Sequence, residues 1–188
     1  MKLIDVVEDI HGGTTRKEDR TTLNDKKYVY KKLTIKSVNN KFINKEFLED
    51  FNSLNEIDEK FLTRKNDIIL CTKTYNSVYI KDYNDEGLLV GGNFIILRNI
   101  KIEPSFLYNY LNLLNFNIKD LKDDANTNIT KTDLENLEIP DLPDNSINKI
   151  SEITETINNR QKAYATLMDN DQELIKLVYE KEGCVWDE

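Results

Sequence analysis

Apolar positions along this chain change period once, from the short runs and alternations of strands before Pro104 to the spacing of helices after it. Residues 1–15, MKLIDVVEDIHGGTT, interleave apolar and polar residues and close on Gly12 and Gly13. Their tolerance of positive φ marks a turn, so a strand or short helix ends there. In residues 26–38, KKYVYKKLTIKSV, the residues Tyr28, Tyr30, Leu33, Ile35 and Val38 alternate with lysines, as in a strand with one buried face and its lysines projecting from the other. Residues 39–60 are polar, with Phe42, Ile43, Phe47, Leu48, Phe51 and Leu54 spread irregularly, which predicts a loop and a weak helical turn. Residues 66–80, NDIILCTKTYNSVYI, read as strand, loop, strand. Residues 87–100, GLLVGGNFIILRNI, hold two apolar runs broken at Gly91 and Gly92 by a hairpin turn or a bulge. These runs predict a mixed or antiparallel sheet.

After Pro104 the segment PSFLYNYLNLLNF places Phe106, Leu107, Tyr110, Leu111 and Leu114 on one helical face, with proline where a first turn tolerates it. Residues 117–130 are an Asn- and Asp-rich loop. TDLENLEIPDLP then gives a short helical turn and a strand-like LEIP, stopped by Pro140 and Pro143. Beyond lies one uninterrupted helix, with Asp144 or Ser146 as its N-cap and Gly183 as its end. Alternating steps of three and four give a seam of Ile147, Ile150, Thr154, Ile157, Gln161, Tyr164, Met168, Asp171, Ile175 and Val178. That is the period of a coiled coil, in which polar seam residues such as Thr154, Gln161 and Asp171 fix register. At on the order of 55 Å the rod is longer than a domain of this size is wide, roughly 30 Å, so part of the seam calls for a partner. The fold class is α+β: a globular domain with a mixed or antiparallel sheet and short helices over 1–143, one long C-terminal coiled-coil helix over 144–182, and a tail over 183–188.

Composition narrows the chemistry. Hydrophobic residues make up 39% of 188, enough for a core. Cys71 and Cys184 form no CxxC pair and His11 is the lone histidine, so neither a disulfide framework nor a zinc site is expected. No phosphate-binding glycine loop or nucleophile elbow occurs. No signal segment or membrane span is read, and a reducing cytoplasm is the expected compartment. The net charge of −8 opposes nucleic-acid binding on average, but it is unevenly spread. Residues 1–80 hold fifteen Lys/Arg against thirteen Asp/Glu, and residues 81–188 hold eleven against twenty-one. Within 11–45 ten basic residues face three acidic ones, a local +7. Such a window is either a solvated face or a lobe that meets a polyanion.

The order of segments resembles the DNA-specificity (S) subunits of type I restriction-modification systems, over essentially residues 1–180. The resemblance rests on the apolar opening that reaches Gly13-Thr14, a "gDIL" strand at Asn66-Asp67-Ile68-Ile69-Leu70, a "Pxyl..yL" helix from Pro104 to Leu111, a closing "l..l.IPlP" from Leu134 to Pro143, and the long helix. Asn66 stands where the family has glycine, Tyr75-Asn76-Ser77 where glycines are common, and Asp144-Asn145 where a glutamine often follows the prolines. Family members carry two target-recognition domains joined by two long antiparallel helices. This chain resembles one half, which restores the whole by pairing with itself.

The resemblance implies a non-enzymatic, cytoplasmic subunit that binds double-stranded DNA and methyltransferase (modification) subunits, together with a restriction subunit in a cleaving complex. No cofactor is expected in this chain; S-adenosylmethionine and ATP belong to the partner subunits. The basic window (Arg16, Lys17, Arg20, Lys31, Lys32), with Arg64, Lys65 and Lys73, is the expected phosphate-contacting set. Thr14 and Thr15 stand beside it, and Thr74, Tyr75 and Asn76 offer hydroxyl and amide groups to base edges. Self-association is assigned to Ile147, Ile150, Thr154, Ile157, Gln161, Tyr164, Met168, Ile175 and Val178. Two alternatives remain at this stage. An acidic S-like interaction protein would occupy the methyltransferase without reading DNA, and a metal-dependent nuclease would draw on Asp67, Asp82 or Asp85.

Overall fold

A computed structural model of the chain describes residues 1–17, 28–38, 42–121 and 128–181. The elements in order are α1 (Leu3–Val6), β1 (Val7–Gly12), β2 (Tyr28–Lys32), β3 (Glu49–Ser53), β4 (Ile68–Cys71), β5 (Ser77–Tyr79), β6 (Phe94–Ile100), α2 (Pro104–Leu121), α3 (Lys131–Glu135) and α4 (Asp144–Lys181). Short 3-10 turns at Lys45–Phe47, Glu59–Phe61 and Tyr83–Asp85 link the strands.

Four strands form an antiparallel sheet in the order β1-β6-β4-β5. Strand β4 is buried at every position, which explains its unbroken apolar run: both faces of the sheet are covered. Ile68 and Leu70, with Ile95 and Leu97, face a core of α1, Phe106, Leu107 and Leu111 of α2, Leu134 of α3, and Ile147. Ile69 and Cys71, with Phe94 and Ile96, face a second core of Leu33, Val38, Ile43, Val78, Ile80, Leu88 and Val90. The period of two along the strands therefore sorts side chains between two cores.

A second sheet pairs β2 with β3. The strand read from residue 26 to 38 ends at Lys32, and the chain turns before Val38. The 3-10 turn at Lys45–Phe47 is the weak helical turn expected within 39–60, and strand β3, EDFNS, follows it where no strand is read from the sequence. Its buried positions are Phe51 and Ser53, and a buried serine erases the alternation that would have announced it. Leu88–Val90 form no hairpin with β6. Leu89 instead bridges to Lys32 and Leu62 and joins the small sheet to the large one.

Gly13 is needed for a reason other than positive φ. A Cβ there would lie 2.2 Å from the Gly91 carbonyl oxygen, because Gly13-Thr14 runs against Val90-Gly91 with Thr14 N donating to Val90 O at 2.9 Å. Asn66, in contrast, takes φ 69°, a left-handed conformation that glycine and asparagine tolerate best. That accounts for asparagine at the place where the resembled family has glycine.

Helix α4 starts at Asp144, so Asp144 is its first residue and not a cap. Gly183 and the tail lie outside the described residues, as do Cys184 and Arg20. The first turns of α4 belong to the domain: Ile147 and Ser151 are buried, and Thr154 accepts a 2.7 Å hydrogen bond from Asn109 Nδ2 of α2. Lys81 bonds Glu155 at 2.9 Å, and that hydrogen bond holds the carboxyl below its usual range. This corrects part of the predicted seam: Ile147 is core, and Thr154 is held by α2. From residue 159 to Lys181, a length of about 34 Å at 1.5 Å per residue, every described side chain of the helix is exposed. Among the described residues no helix is long and apolar enough to cross a membrane.

Candidate nucleic-acid interface

The ends of antiparallel strands gather loops from distant parts of the chain. Gly12 pairs with Ile95, Cys71 with Phe94 and Leu70 with Ser77. One end of the sheet therefore carries three loops: Gly13–Lys17 after β1, Thr72–Asn76 between β4 and β5, and Gly91–Asn93 before β6. Thr72 ties two of them, since its N and Oγ1 both donate to Asn93 O, at 2.8 and 3.0 Å. A Cβ on Gly92 would lie 3.2 Å from the Thr15 methyl, which shows how closely the third loop approaches. The small sheet closes the side: Thr14, Thr15, Arg16 and Lys17 line a cleft of about 750 Å³ opposite Lys32, Glu49, Asp50 and Phe51.

The cleft has mixed charge. Lys32 stacks its ammonium over the Phe51 ring at 5.4 Å, and Lys31 is engaged by Asp50 at 2.6 Å across the β2–β3 ladder. Both partners of that ion pair are exposed, so it is a weak tie that a phosphate can exchange. Part of the +7 read along residues 11–45 is thus offset in space by β3, whose carboxylates come from just beyond that window.

The predicted site residues divide. Thr15, Lys17 and Lys73 are exposed at this end of the sheet, and Arg16, Lys32, Thr74 and Asn76 are half-buried there. Thr14 is 8% exposed, and its hydroxyl accepts from Arg16 N at 3.1 Å, so it shapes the loop. Tyr75 is corrected from a base reader to a core residue. The residue is 5% exposed in the core cluster of Leu70 and Phe106, and its backbone takes φ 62°, where a bulky residue is strained. Arg64 and Lys65 precede β4 and stand at the opposite end of the sheet. Arg64 bonds Glu59 at 3.0 Å, and Lys65 lies over Tyr83 at 4.8 Å. The sequence reading omitted Asn93, an exposed amide in the same cluster as Thr15 and Lys73. The Gly91-Gly92 turn before it was the available signal.

That opposite end holds a different chemistry. Arg98 Nε and Nη2 donate to the two carboxylate oxygens of Asp67 at 2.9 and 2.7 Å, with both side chains buried. Arg98 Nη2 also donates to Leu62 O, and Asp67 accepts from Arg64 N. Both oxygens of Asp67 are committed to this network, which leaves it no role as a nuclease metal ligand. Asp85, another of the three acids weighed for that chemistry, pairs with Lys45 at 3.3 Å. His11 Nε2 donates to Lys60 O at 2.9 Å, and Asp58 is held below its usual pKa by hydrogen bonds from the Lys60 backbone and side chain. Among the described residues no three His, Cys, Asp or Glu side chains converge on a metal position.

No family model matches the chain, and no curated protein matches it. Solved structures do. The whole chain superposes on 50% of the HsdS subunit from Thermoanaerobacter tengcongensis, with a TM-score of 0.62 at 15% identity. It covers 94% of itself and 44% of the type I restriction-modification S subunit from M. genitalium, with a TM-score of 0.53 at 16% identity. It also superposes over its full length on 50% of a chain from a type I R-M system described for complex assembly and conformational transition, with a TM-score of 0.58 at 15% identity. The chain spans about half the length of the chains it matches, and its fold is that of one half of an S subunit: an α+β domain followed by a long helix.

Proposed function

We propose that this chain is a non-catalytic DNA-recognition subunit, half of a type I S subunit, which pairs with a second copy and positions methyltransferase subunits on a bipartite site. The observation that carries the reading is that domain and helix together, over the full chain, match half of an S subunit. In this reading the loop cluster of Thr15, Lys17, Lys73, Thr74, Asn76 and Asn93 meets DNA. Arg16, Lys17, Lys32 and Lys73 contact phosphates, which orient the domain, while hydroxyl and amide groups reach base edges. Methyl transfer and any ATP-driven cleavage belong to the partner subunits, which bind S-adenosylmethionine and ATP. The acidic second part of the chain faces protein there, where carboxylates do not oppose phosphate.

The net charge of −8 and the carboxylates Glu49 and Asp50 in the cleft favour a second reading, an S-like protein that occupies the methyltransferase without touching DNA. Salt titration separates the two. Reconstituted with its methyltransferase subunits, a recognition subunit binds duplex DNA with log K falling linearly in log salt, by about 0.9 per phosphate neutralised. A reconstituted complex that binds no duplex at low salt, while the methyltransferase alone does, contradicts the first reading and supports the second.

A further inference from the structure

The part of α4 that leaves the domain presents a seam different from the one its apolar spacing first suggests. With Ile147 buried and Thr154 bonded to α2, the open stripe is the next one round the helix: Ile150, Ile153, Ile157, Arg160, Tyr164, Leu167, Asp171, Leu174 and Val178. Every one of these is exposed. They fall at positions a (150, 157, 164, 171, 178) and d (153, 160, 167, 174) of a heptad repeat. Two of them are charged, one of each sign: Arg160 at a d position and Asp171 at an a position.

We infer that this stripe is a self-complementary antiparallel interface in which Arg160 of each copy pairs with Asp171 of the other, fixing both register and direction. The inference rests on the self-pairing proposed above and names what specifies it. In an antiparallel pair, a positions face d positions. Setting Arg160 against Asp171 places the two-fold axis midway between residues 165 and 166. Three further layers close on apolar residues, Tyr164 on Leu167, Ile157 on Leu174 and Ile153 on Val178, and at the end of the stripe Ile150 meets the stem of Lys181. An isologous contact makes each layer twice, as two-fold symmetry requires.

Other arrangements leave the charges unmatched. A shift of one heptad sets Arg160 against Val178 or Tyr164 and Asp171 against Leu167 or Ile153. A parallel pair sets Arg160 on Arg160 and Asp171 on Asp171. A charge left unpaired in a seam is far more destabilising than a matched pair is stabilising, so the pair acts chiefly by excluding these alternatives. The flanks cannot perform that task. The e positions are Thr154, Gln161, Met168 and Ile175, the g positions are Lys149, Thr156, Ala163, Asn170 and Leu177, and Lys149 is their sole charge. The symmetry of the charge pattern about one point selects a second copy of this helix as the occupant.

Charge exchange tests this on the full chain. Sedimentation equilibrium of R160D and of D171R is expected to show self-association weakened tenfold or more, because each change sets like charges in the seam. The double variant R160D/D171R recovers the parent affinity to within about threefold, since the exchanged pair still matches. A double variant no tighter than either single one overturns the register. A spin label at Glu180→Cys in a Cys184→Ser chain reads direction. Labels about 44 Å apart along the axis match the antiparallel register, and labels within about 20 Å indicate a parallel pair and contradict it. A parent chain that stays monomeric at high concentration overturns the self-pairing itself, a result distinct from a dimer that fails to respond to charge exchange.

Discussion

Replacing Arg98 by methionine is expected to lower the unfolding free energy by about 3–5 kcal/mol, read as a fall in the urea midpoint at constant m-value. The size follows from what the guanidinium leaves behind. Asp67 is 1% exposed, and in the parent both its oxygens receive hydrogen bonds from Arg98. Without Arg98 the carboxylate keeps the Arg64 backbone N–H but loses its counter-charge at a buried position. Lys60 O and Leu62 O lose a donor at the same time. The double variant Asp67→Leu/Arg98→Met removes both charges and recovers much of the loss, because a buried pair exchanged for apolar residues is often neutral. A loss below about 1 kcal/mol for the single variant contradicts the burial described for this pair.

The second large effect concerns DNA. Changing Arg16, Lys17 and Lys32 together to alanine is expected to weaken duplex binding by the reconstituted complex on the order of 100-fold, equally across sequences. Its salt slope falls by about 2.7, or 0.9 for each of three lost phosphate contacts. The three residues line one cleft at one end of the sheet, so their losses add on one face of the duplex. Arg64→Ala/Lys65→Ala is the control. Those side chains stand at the opposite end, engaged by Glu59 and Tyr83, and their removal leaves the slope within about one unit. If the control lowers the slope and the triple variant does not, the interface is at the wrong end.

Which parts of this structure are legible in the sequence follows from how local their causes are. Strands β4 and β5 and helices α2 and α3 are read from periodicity, since each buries a face that its own spacing reveals, and the length of α4 from the lack of glycine and proline between Pro143 and Gly183. Strand β3 is not, because its inward positions are a phenylalanine and a serine, and the partner that makes it a strand is 21 residues upstream at Tyr30–Phe51. The Asp67–Arg98 pair spans 31 residues and has no local mark. Gly13 was flagged as a turn residue, whereas its requirement is the Gly91 carbonyl 78 positions away in the chain. The candidate residues form a list in the sequence and not a place. Sequence names Arg16, Lys32, Lys73 and Arg64 alike, and only sheet topology sends the last of these to the other end. The side of α4 that α2 covers is not legible locally, because whether Thr154 or Ile153 faces outward depends on which face Asn109 occupies.

The central claim is that two copies of one DNA-reading domain are held at a fixed separation by paired α4 helices on a methyltransferase complex. Sequencing of duplexes selected from a random pool by the reconstituted complex tests it most directly. The account predicts enrichment of two identical half-sites in inverted orientation, separated by a spacer of constant length. Duplexes recovered with no common sequence contradict it, as does a single uninterrupted half-site.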